Sequence, residues 1–480
     1  MTADHPSQAR PGRLQVAVIG GGIVGLITTL GLLKRNIAVK VYEQSRGFRE
    51  IGAGVAFTAN AMQCMALLDP HIVDAVNAVA TPNGEDMDKP NDYLRWHDGY
   101  HWDPEHPETS DDKLLFTLYS GYKGFQGCHR AHLLDELVKY VPSGVVEFRK
   151  RLTSYEDRGP QERLLLRFED GSTAEADAVI ACDGIKSTVR RILLGADNPA
   201  SYPHFSHKVA YRALVPMDQA EPLLGSFKAR NQHMHTGPGA HLLHFPVDGG
   251  KLLNVVAFAT EPGDWPLGGT NTVGNMTAPA TREQVAEVFR GWGPTVRNIV
   301  SLLPAELDRW AIFDTYDHPA PTFVGGRVCL AGDAAHASSP HHGAGAGIGV
   351  EDALAICTLL ARVKETLQAV SEGGNKTGDT KTAQEEAVLK AGLIEKALRV
   401  YDRVRPPRSQ WLVQSSREVC DIYEWNYPST GTDWDKCLAE ITARSHKLWY
   451  FDIAGMLAEL DHGYEKMKNL QLASENLWKS

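Results

Sequence analysis

Residues 14–43 read LQVAVIGGGIVGLITTLGLLKRNIAVKVYE, and this stretch decides the fold. Residues 14–19 are rich in Val and Ile and predict a buried strand, which the glycines at 20–22 interrupt. Residues 23–33 predict a helix and residues 38–42 the next strand, which together make a β-α-β unit. Residues 16–33 are also apolar enough to suggest a membrane span, but their five glycines and strand-like start favour a strand, a tight turn and a buried helix.

Gly20, Gly22 and Gly25 form the pattern G-x-G-x-x-G between this strand and this helix. The first glycine permits the tight turn, the second lets the backbone approach a pyrophosphate, and the third lets helix and strand pack closely. Glu43 follows 18 residues after Gly25, at the end of the next strand, where a carboxylate can accept both hydroxyls of an adenosine ribose. The sequence therefore predicts a bound dinucleotide without a 2′-phosphate.

Two further motifs follow along the chain. Residues 182–190 read CDGIKSTVR, and residues 332–336 read GDAAH, followed by Pro340, by GAGAG at 343–347 and by EDA at 351–353. With the first motif, in this order, they resemble the single-component FAD-dependent aromatic hydroxylases, the class A flavoprotein monooxygenases. Residues 401–408, YDRVRPPR, resemble the salicylate-hydroxylase-like branch, which includes fungal hydroxylases of polyketide-derived phenolic rings, some of them dearomatising.

The resemblance implies a fold and a division into domains. The fold is a mixed α/β (α+β) one, with a Rossmann-like FAD-binding domain of the p-hydroxybenzoate-hydroxylase type. A β-sheet substrate domain interrupts it, and helices end the chain. The predicted segments are FAD-binding 14–81, 123–203 and 314–365, an excursion of the substrate domain at 82–122, the sheet domain at 204–313 with one helix near 282–291, a flexible loop at 366–386, and a helical region at 387–480.

The resemblance also implies roles for individual residues near the cofactor. Asp333 corresponds to the acidic residue that binds the ribityl chain, and Arg130 to an arginine that contacts FAD. Asp183 and Gly184 correspond to a motif that serves both FAD and the nicotinamide donor. Backbone N–H groups near the flavin ring, which stabilise negative charge on it, belong to the loop at Gly345, Ala346 and Gly347. Gly54 is a further predicted FAD contact, and Pro340 lines the reactive face.

The implied reaction is hydroxylation of a phenolic ring with NAD(P)H and O₂ through a flavin C4a-hydroperoxide. The cofactor carries the hard chemistry, and the protein excludes water and positions the ring. No second G-x-G-x-x-G follows a predicted strand, so NAD(P)H is expected as a transient co-substrate. The sequence leaves open whether NADH or NADPH is used and which ring is the substrate. It also leaves open whether the outcome is hydroxylation, decarboxylation or dearomatisation.

The sheet domain is expected to supply the substrate contacts. Tyr211 and Arg212 are neighbours in a strand-like run, so only one of them faces the flavin. A guanidinium there would pair with a phenolate and lower the pKa of the phenol. His235 is a candidate acid or base, although a hydrogen-bonded strand histidine is the commoner case. Other candidates are the histidines 233, 241, 244, 336, 341 and 342, and an apolar cage formed by Phe245, Phe258, Trp265 and Pro340.

Composition narrows the classes of partner. The net charge is −10 with no basic stripe, so nucleic acid is not expected. The seven cysteines are scattered and never spaced C-x-x-C, which argues against disulfides and zinc and fits a reducing compartment. No cysteine or carboxylate joins the histidines at ligand spacing, so no metal is predicted. Residues 1–13 are polar, so no signal peptide is expected and a cytoplasmic location is predicted. Whether the protein forms a homodimer is left open.

Two alternatives remain at this stage. A flavin epoxidase or oxidase acting on a non-phenolic substrate would keep the fold and change the chemistry; the halogenase motif W-x-W-x-I-P is absent from the sequence. A binding module of the same fold without catalysis is the other alternative. The intact set of Gly20, Gly22, Gly25, Glu43 and Asp333 argues against that module.

Overall fold

A computed structural model describes residues 14–48, 54–265, 275–377 and 382–477. The strands in chain order are β1 (Gln15–Ile19), β2 (Ala38–Glu43), β3 (Gly54–Phe57), β4 (Ala80–Pro82), β5 (Tyr93–Asp98), β6 (Lys113–Tyr119), β7 (Gln126–His129), β8 (Val146–Phe148), β9 (Leu152–Glu156), β10 (Leu164–Phe168), β11 (Thr173–Ala176), β12 (Ala178–Ala181), β13 (His204–Pro216), β14 (His233–Gly237), β15 (Ala240–Val247), β16 (Leu252–Thr260), β17 (Thr277–Thr281), β18 (Glu306–Asp314), β19 (Val324–Gly325) and β20 (Val328–Leu330).

The helices in chain order are α1 (Ile23–Lys34), α2 (Ala59–Leu68), α3 (Pro70–Val79), α4 (Pro107–Ser110), α5 (Arg130–Val138), α6 (Thr188–Leu194), α7 (Met217–Leu224), α8 (Ser226–Ala229), α9 (Arg282–Val288), α10 (Pro294–Ser301), α11 (Asp333–His336), α12 (Gly345–Thr377), α13 (Ala383–Val404), α14 (Pro406–Tyr423), α15 (Trp434–Trp449) and α16 (Ile453–Leu477). None of these helices combines the length and the apolar character that a bilayer crossing requires.

A six-stranded sheet in the order β19-β20-β12-β1-β2-β8 forms the first layer. Strand β1 pairs in parallel with β12 and β2, and β12 pairs in parallel with β20, so their carboxyl ends lie side by side. The four residues of β12, AVIA, are all buried, as expected of a parallel strand covered on both faces. The predicted β-α-β unit at the start of the chain is confirmed as β1, α1 and β2.

An eight-stranded sheet in the order β17-β18-β13-β16-β15-β14-β5-β6 forms the second layer. The excursion at 82–122 supplies β5 and β6 to it, and β5 pairs in parallel with β14. One face of this sheet packs on α9 and α10, and we call it the far face. The opposite face, which packs against α12 and α14 beside the first layer, is the near face. The described part of residues 204–313 contains the four helices α7 to α10, three more than expected, since short helices connect the strands of the meander.

The loop predicted at 366–386 is wrong for most of its length. Helix α12 runs to Thr377, and α13 begins at Ala383 with Thr382 as its N-cap, whose side chain accepts from the Glu385 backbone N–H. Residues 378–381 lie outside the described part of the chain. The polar composition misled because Leu367 and Val370 still pack against the core, which keeps the helix on the protein surface.

Candidate active site

The first glycine turn is closed by direct backbone packing. Gly20 has φ +99°, and a Cβ there would lie 2.4 Å from the carbonyl oxygen of Cys182. A Cβ on Gly25 would lie 2.0 Å from the carbonyl oxygen of Gly20. Neither position therefore has room for a side chain. The turn after β1 packs directly against the backbone at the end of β12.

The N-terminus of α1 is open on its outer side. Gly22 is the N-cap, no side chain caps it, the first turn contains no acidic residue, and a Cβ on Gly22 would meet nothing within 4 Å. Glu43 lies beside this turn, where its carboxylate accepts from the backbone N–H of Gly21 at 2.6 Å and of Ser45 at 2.7 Å. Free N–H groups, a positive helix end and a nearby carboxylate fit a pyrophosphate and a ribose.

The second motif holds its own loop together. Asp183 accepts from the Ser187 hydroxyl at 2.5 Å and from the backbone N–H groups of Thr188 and Val189 at 2.8 and 3.1 Å. Gly184 has φ +73°, and a Cβ there would meet nothing within 4 Å. The structure thus gives Asp183 a capping role at α6, and contact of Asp183 or Gly184 with a cofactor remains a prediction.

The third motif presents an exposed carboxylate to a helix N-terminus. Asp333 follows β20 as the first residue of α11, and a Cβ on Gly345 would lie 3.9 Å from its Oδ1 atom. Helix α12 starts at Gly345, so the N–H groups of Gly345, Ala346 and Gly347 have no acceptor within the helix. A Cβ on Gly349 would lie 3.2 Å from the Cα of Gly332, which brings α12 directly against this motif.

All three motifs therefore meet at the carboxyl ends of neighbouring parallel strands, where open α/β sheets bind their ligands. The residues present fit FAD. The glycine turn leaves room for a pyrophosphate at Gly22, Glu43 lies where a ribose would follow, and Asp333 offers a carboxylate to a polyol chain. Gly54, the first residue of β3, lies against the eight-stranded sheet, where its N–H donates to the Asn254 side chain at 3.3 Å; its contact with FAD remains a prediction.

A buried ion network lies behind the third motif, and no spacing of its residues along the sequence predicts it. Asp352 accepts from Arg405 at 2.9 Å, from the Gly332 N–H at 3.0 Å, and pairs with His336 at 2.5 Å. Arg405 also pairs with Glu351 at 2.9 Å, and all four side chains are almost inaccessible to solvent. Although burial raises the pKa of Asp352, His336 and Arg405 outweigh it and lower the pKa. His336 thus supports the loop, and its predicted part in proton transfer has no support.

On the near face of the eight-stranded sheet, Arg212 is a cation with no ion-pair partner among the residues that the structure describes. Arg212 lies on it with Ala210, Val256 and Ile312, and its guanidinium carbon lies 5.4 Å from the ring centre of Trp310. Its Nε atom has no hydrogen-bond partner among the described residues. Burial lowers the pKa of Arg212 to about 10, and the charge of Arg130 at the start of α5 adds to that effect. The guanidinium stays protonated at neutral pH.

Two of the proposed catalytic residues lie on the wrong face. Tyr211 points to the far face with Val209 and Val215, because strand neighbours alternate. His235 is also on the far face, where its Nδ1 atom lies 2.5 Å from Asp112. This placement gives no support to Tyr211 and His235 as catalytic groups, and those roles stay untested predictions. The aromatic cage needs the same correction, since Trp265 packs in the far-face core.

Unlike His235, His241 lies on the near face of the eight-stranded sheet. It stacks on Phe258 with ring centres 4.5 Å apart, and its ring lies 5.1 Å from that of His341. Pro340, His341 and His342 form a short 3-10 helix just before Gly343. His342 pairs with the Ser415 hydroxyl at 2.9 Å, which turns it toward α14.

Glu424, the C-cap of α14, supports His241 from behind. Its carboxylate lies 3.1 Å from the His241 Nδ1 atom and also pairs with Lys208. Burial raises the pKa of Glu424, but the hydrogen bond with His241 and the charge of Lys208 outweigh burial and lower it to about 2. Glu424 is separated from His241 by 183 residues, and no spacing rule connects them.

Comparison with known proteins agrees with this geometry. A family described as "FAD binding domain" matches residues 280–372. The FAD-dependent monooxygenase pigN of Monascus ruber is 51% identical over 455 residues, covering 95% of this chain and 97% of that protein. The salicylate hydroxylase asL1 of Sarocladium schorii is 49% identical, covering 94% of this chain and 91% of that protein. A solved salicylate hydroxylase in a substrate complex is 31% identical with a TM-score of 0.75, covering 94% and 98%.

The chain belongs to the FAD-dependent monooxygenases. Within that class it is a flavoprotein of the salicylate-hydroxylase type, with FAD as its cofactor. The predicted family, fold class and cofactor are confirmed.

Proposed function

We propose that this enzyme hydroxylates a phenolic aromatic substrate with NAD(P)H and O₂, and that Arg212 binds the phenolate. The unpaired guanidinium on the near face carries this proposal. Arg212 makes no ion pair with any described residue, and its neighbours on the near face are apolar. A half-buried cation without a counter-charge has lost part of its hydration, so an anionic ligand beside it is stabilised.

The substrate class follows from the neighbours of that cation. Val256, Phe258 and Trp310 offer apolar surface to a flat ring, while Arg212 offers a planar fork to an oxygen anion. Two of the relatives are named salicylate hydroxylases. We therefore place a salicylate-like acid or a polyketide-derived resorcylic ring at this position, between the near face and the loop at Pro340.

The chain's own residues prepare the ring for oxidation. Bound FAD, with NAD(P)H and O₂, supplies an electrophilic oxygen atom. Arg212 lowers the pKa of the phenol because it stabilises the phenolate, and a phenolate ring donates electrons better than a phenol. The glycine loop at Gly345–Gly347 holds N–H groups near the cofactor ring, and the apolar near face excludes water.

Dearomatisation depends on which ring carbon receives the oxygen. A carbon that bears hydrogen loses that proton afterwards, and the ring becomes aromatic again. A carbon that bears an alkyl group has no proton to lose, and the product stays a dienone. Both outcomes use the same phenolate contact at Arg212, so product analysis rather than binding distinguishes them.

The test uses the FAD-loaded full chain and a panel of salicylate, resorcylic acids, resorcylic aldehydes and non-phenolic alkenes. We expect one phenol to accelerate NAD(P)H oxidation with a hydroxylated product and little peroxide. Stimulation by an alkene alone, with an epoxide as product, would overturn the phenol proposal and leave the cofactor assignment intact.

Variants then test the proposed contact. Arg212→Gln should lower kcat/KM for that phenol about 10- to 150-fold, because charged hydrogen bonds contribute about 1.5–3 kcal/mol. Arg309→Gln is the matched control: Arg309 pairs with Glu261 at 2.7 Å and stacks on Trp265 in the far-face region. Equal losses in both variants would remove Arg212 from the substrate site.

A further inference from the structure

A compact group of side chains that can bind a metal ion includes one residue of the loop between α11 and α12 (residues 337–344), which we call the flavin loop. Suitable donor atoms of His241, His341 and Cys420 all lie within 4.8 Å of one another. The three residues come from β15, from the loop before α12 and from α14, and each is more than nine-tenths buried. They are 79 or more residues apart in sequence, which is why ligand spacing along the chain gave no sign of them.

Two of the donors are oriented and unused. The Nδ1 atom of His241 is engaged by Glu424 at 3.1 Å, and that of His341 by the Ser339 hydroxyl at 3.0 Å. The Nε2 atoms of both rings are buried and have no hydrogen-bond partner among the described residues. Metal-binding histidines usually have this arrangement, with one ring nitrogen held by a carboxylate or another oxygen and the other directed at the ion.

We propose that His241, His341 and Cys420 form a binding site for Zn²⁺ or a similar borderline-soft ion. Two imidazoles and one thiolate are typical zinc ligands, and a fourth, open position would hold water. When the Zn–S bond forms, the S–H proton of Cys420 leaves to solvent, and no electron is transferred. Glu424 acts as a positioning residue that orients His241.

Binding would change the flavin loop. In a tetrahedral zinc site the ligand atoms lie roughly 3.3–3.8 Å apart, so a pair at the upper limit of 4.8 Å would contract by about 1 Å. His341 lies four residues before Gly345, where α12 begins, and it is the ligand on a loop rather than on a strand or long helix. The ion would therefore tie the flavin loop to the substrate sheet and to α14, and we expect it to inhibit turnover.

The experiment is a titration of the FAD-loaded full chain with Co²⁺, followed by displacement with Zn²⁺. Tetrahedral Co²⁺ absorbs in the red, beyond the flavin bands, so it reports on the site directly. We expect one Co²⁺ per chain with such bands and a sulfur charge-transfer signal, and Zn²⁺ should abolish both. Because this readout needs no substrate, it stands apart from the phenol proposal.

Variants decide which residues hold the ion. Cys420→Ser should remove the charge-transfer signal, and His341→Asn should weaken Co²⁺ binding strongly. Glu424→Gln should weaken it about 10- to 100-fold, as loss of a supporting carboxylate does elsewhere. Cys437→Ser, at another buried cysteine, and His342→Asn, at the next residue of the loop, are the matched controls.

Flavin content and thermal midpoint show whether each variant is folded. No red absorption in the unaltered protein would overturn the proposal, and so would binding that is unchanged in folded Cys420→Ser and His341→Asn.

Discussion

The guanidinium of Arg190, in the second motif, donates to the carbonyl oxygen of Ala335, in the third, at 2.7 Å. It also donates to the carbonyl oxygens of Ala334 at 3.1 Å and of Ala200 at 2.6 Å. Arg190 is almost completely buried. One side chain thus connects two cofactor motifs that the sheet domain separates in sequence, and it satisfies three buried carbonyl groups.

We expect Arg190→Gln to destabilise the protein by about 3 kcal/mol or more, because each buried carbonyl left without a donor costs about 1–3 kcal/mol. FAD affinity should fall as well, since the loop at Asp333 loses its support. Urea unfolding and flavin titration measure the two effects. Arg191→Gln is the control: Arg191 donates to the Thr188 hydroxyl at 3.1 Å, and its loss should cost less than about 1.5 kcal/mol. Equal costs would contradict the role given to Arg190.

Substitutions at two glycines of the first motif should have different effects on stability and on FAD binding. Gly25→Ala places a methyl group 2.0 Å from the Gly20 carbonyl oxygen, so the turn itself must distort and the thermal midpoint of the FAD-free protein should fall. Gly22→Ala meets nothing within 4 Å in the protein, so that midpoint should stay while FAD binding weakens. The same loss of stability in both variants would mean that Gly22 serves the fold and not the pyrophosphate.

The sequence was sufficient for the cofactor half of the molecule. The first motif is local: Gly20, Gly22, Gly25 and Glu43 lie within 24 residues, and strand–turn–helix geometry fixes where they meet. Asp333 was also predictable, because it directly follows a buried parallel strand and therefore lies at the same sheet edge.

The substrate contacts were harder to predict, because they depend on which face of a strand each residue occupies and on partners that are far away in sequence. His233 and His235 share the far face, while His241, after the turn at Gly237–Gly239, faces the flavin side. A sequence shows which strand neighbours alternate, but the face that meets the cofactor is set by packing against α12 and α14. Glu424 and Arg405, from the C-terminal helices, could not be assigned to His241 and Asp352 before the fold was known.

The network at Asp352 gives a prediction about stability. Asp352→Asn removes the carboxylate that pairs with the buried Arg405 at 2.9 Å, and breaking such a buried ion pair costs about 3–5 kcal/mol. Asp461→Asn is the matched control, since Asp461 pairs with Arg362 at 2.9 Å in a partly exposed position, where an ion pair contributes about 0.2–1 kcal/mol. Urea unfolding of both variants should show this difference. A small loss in Asp352→Asn would mean that water or a neighbouring group already compensates Arg405.

The far-face histidines should make the protein sensitive to mild acid. His97, His233, His235 and His244 stack together beside Asp112, which also pairs with Lys228. Burial lowers the pKa of His97 to about 4, although Asp112 opposes it. Burial also lowers the pKa of His233, with a further contribution from His244, and places that of His244 well below its usual range.

In the unfolded chain the imidazoles of His97, His233 and His244 bind protons near pH 6.5, and in the folded protein their lowered pKa values prevent this. The unfolded state therefore gains protons first, and the free energy of unfolding falls as the pH drops below about 6.5. For His97 this loss ends near pH 4, where the folded protein also binds the proton. Burial raises the pKa of Asp112, but His235 outweighs burial and lowers it. Protonation of Asp112 therefore reduces the free energy of unfolding only below about pH 4.

Urea unfolding at pH 7.5, 6.5 and 5.5 measures this slope. Each buried neutral histidine contributes up to about 1.4 kcal/mol per pH unit below its unfolded pKa. His244→Gln should reduce the slope by about one proton, because glutamine stays neutral in both states. His462→Gln, at an exposed position on α16, should leave it unchanged. If His244→Gln keeps the full slope, His244 is already protonated in the folded protein, and the charge of Asp112 rather than burial governs the cluster.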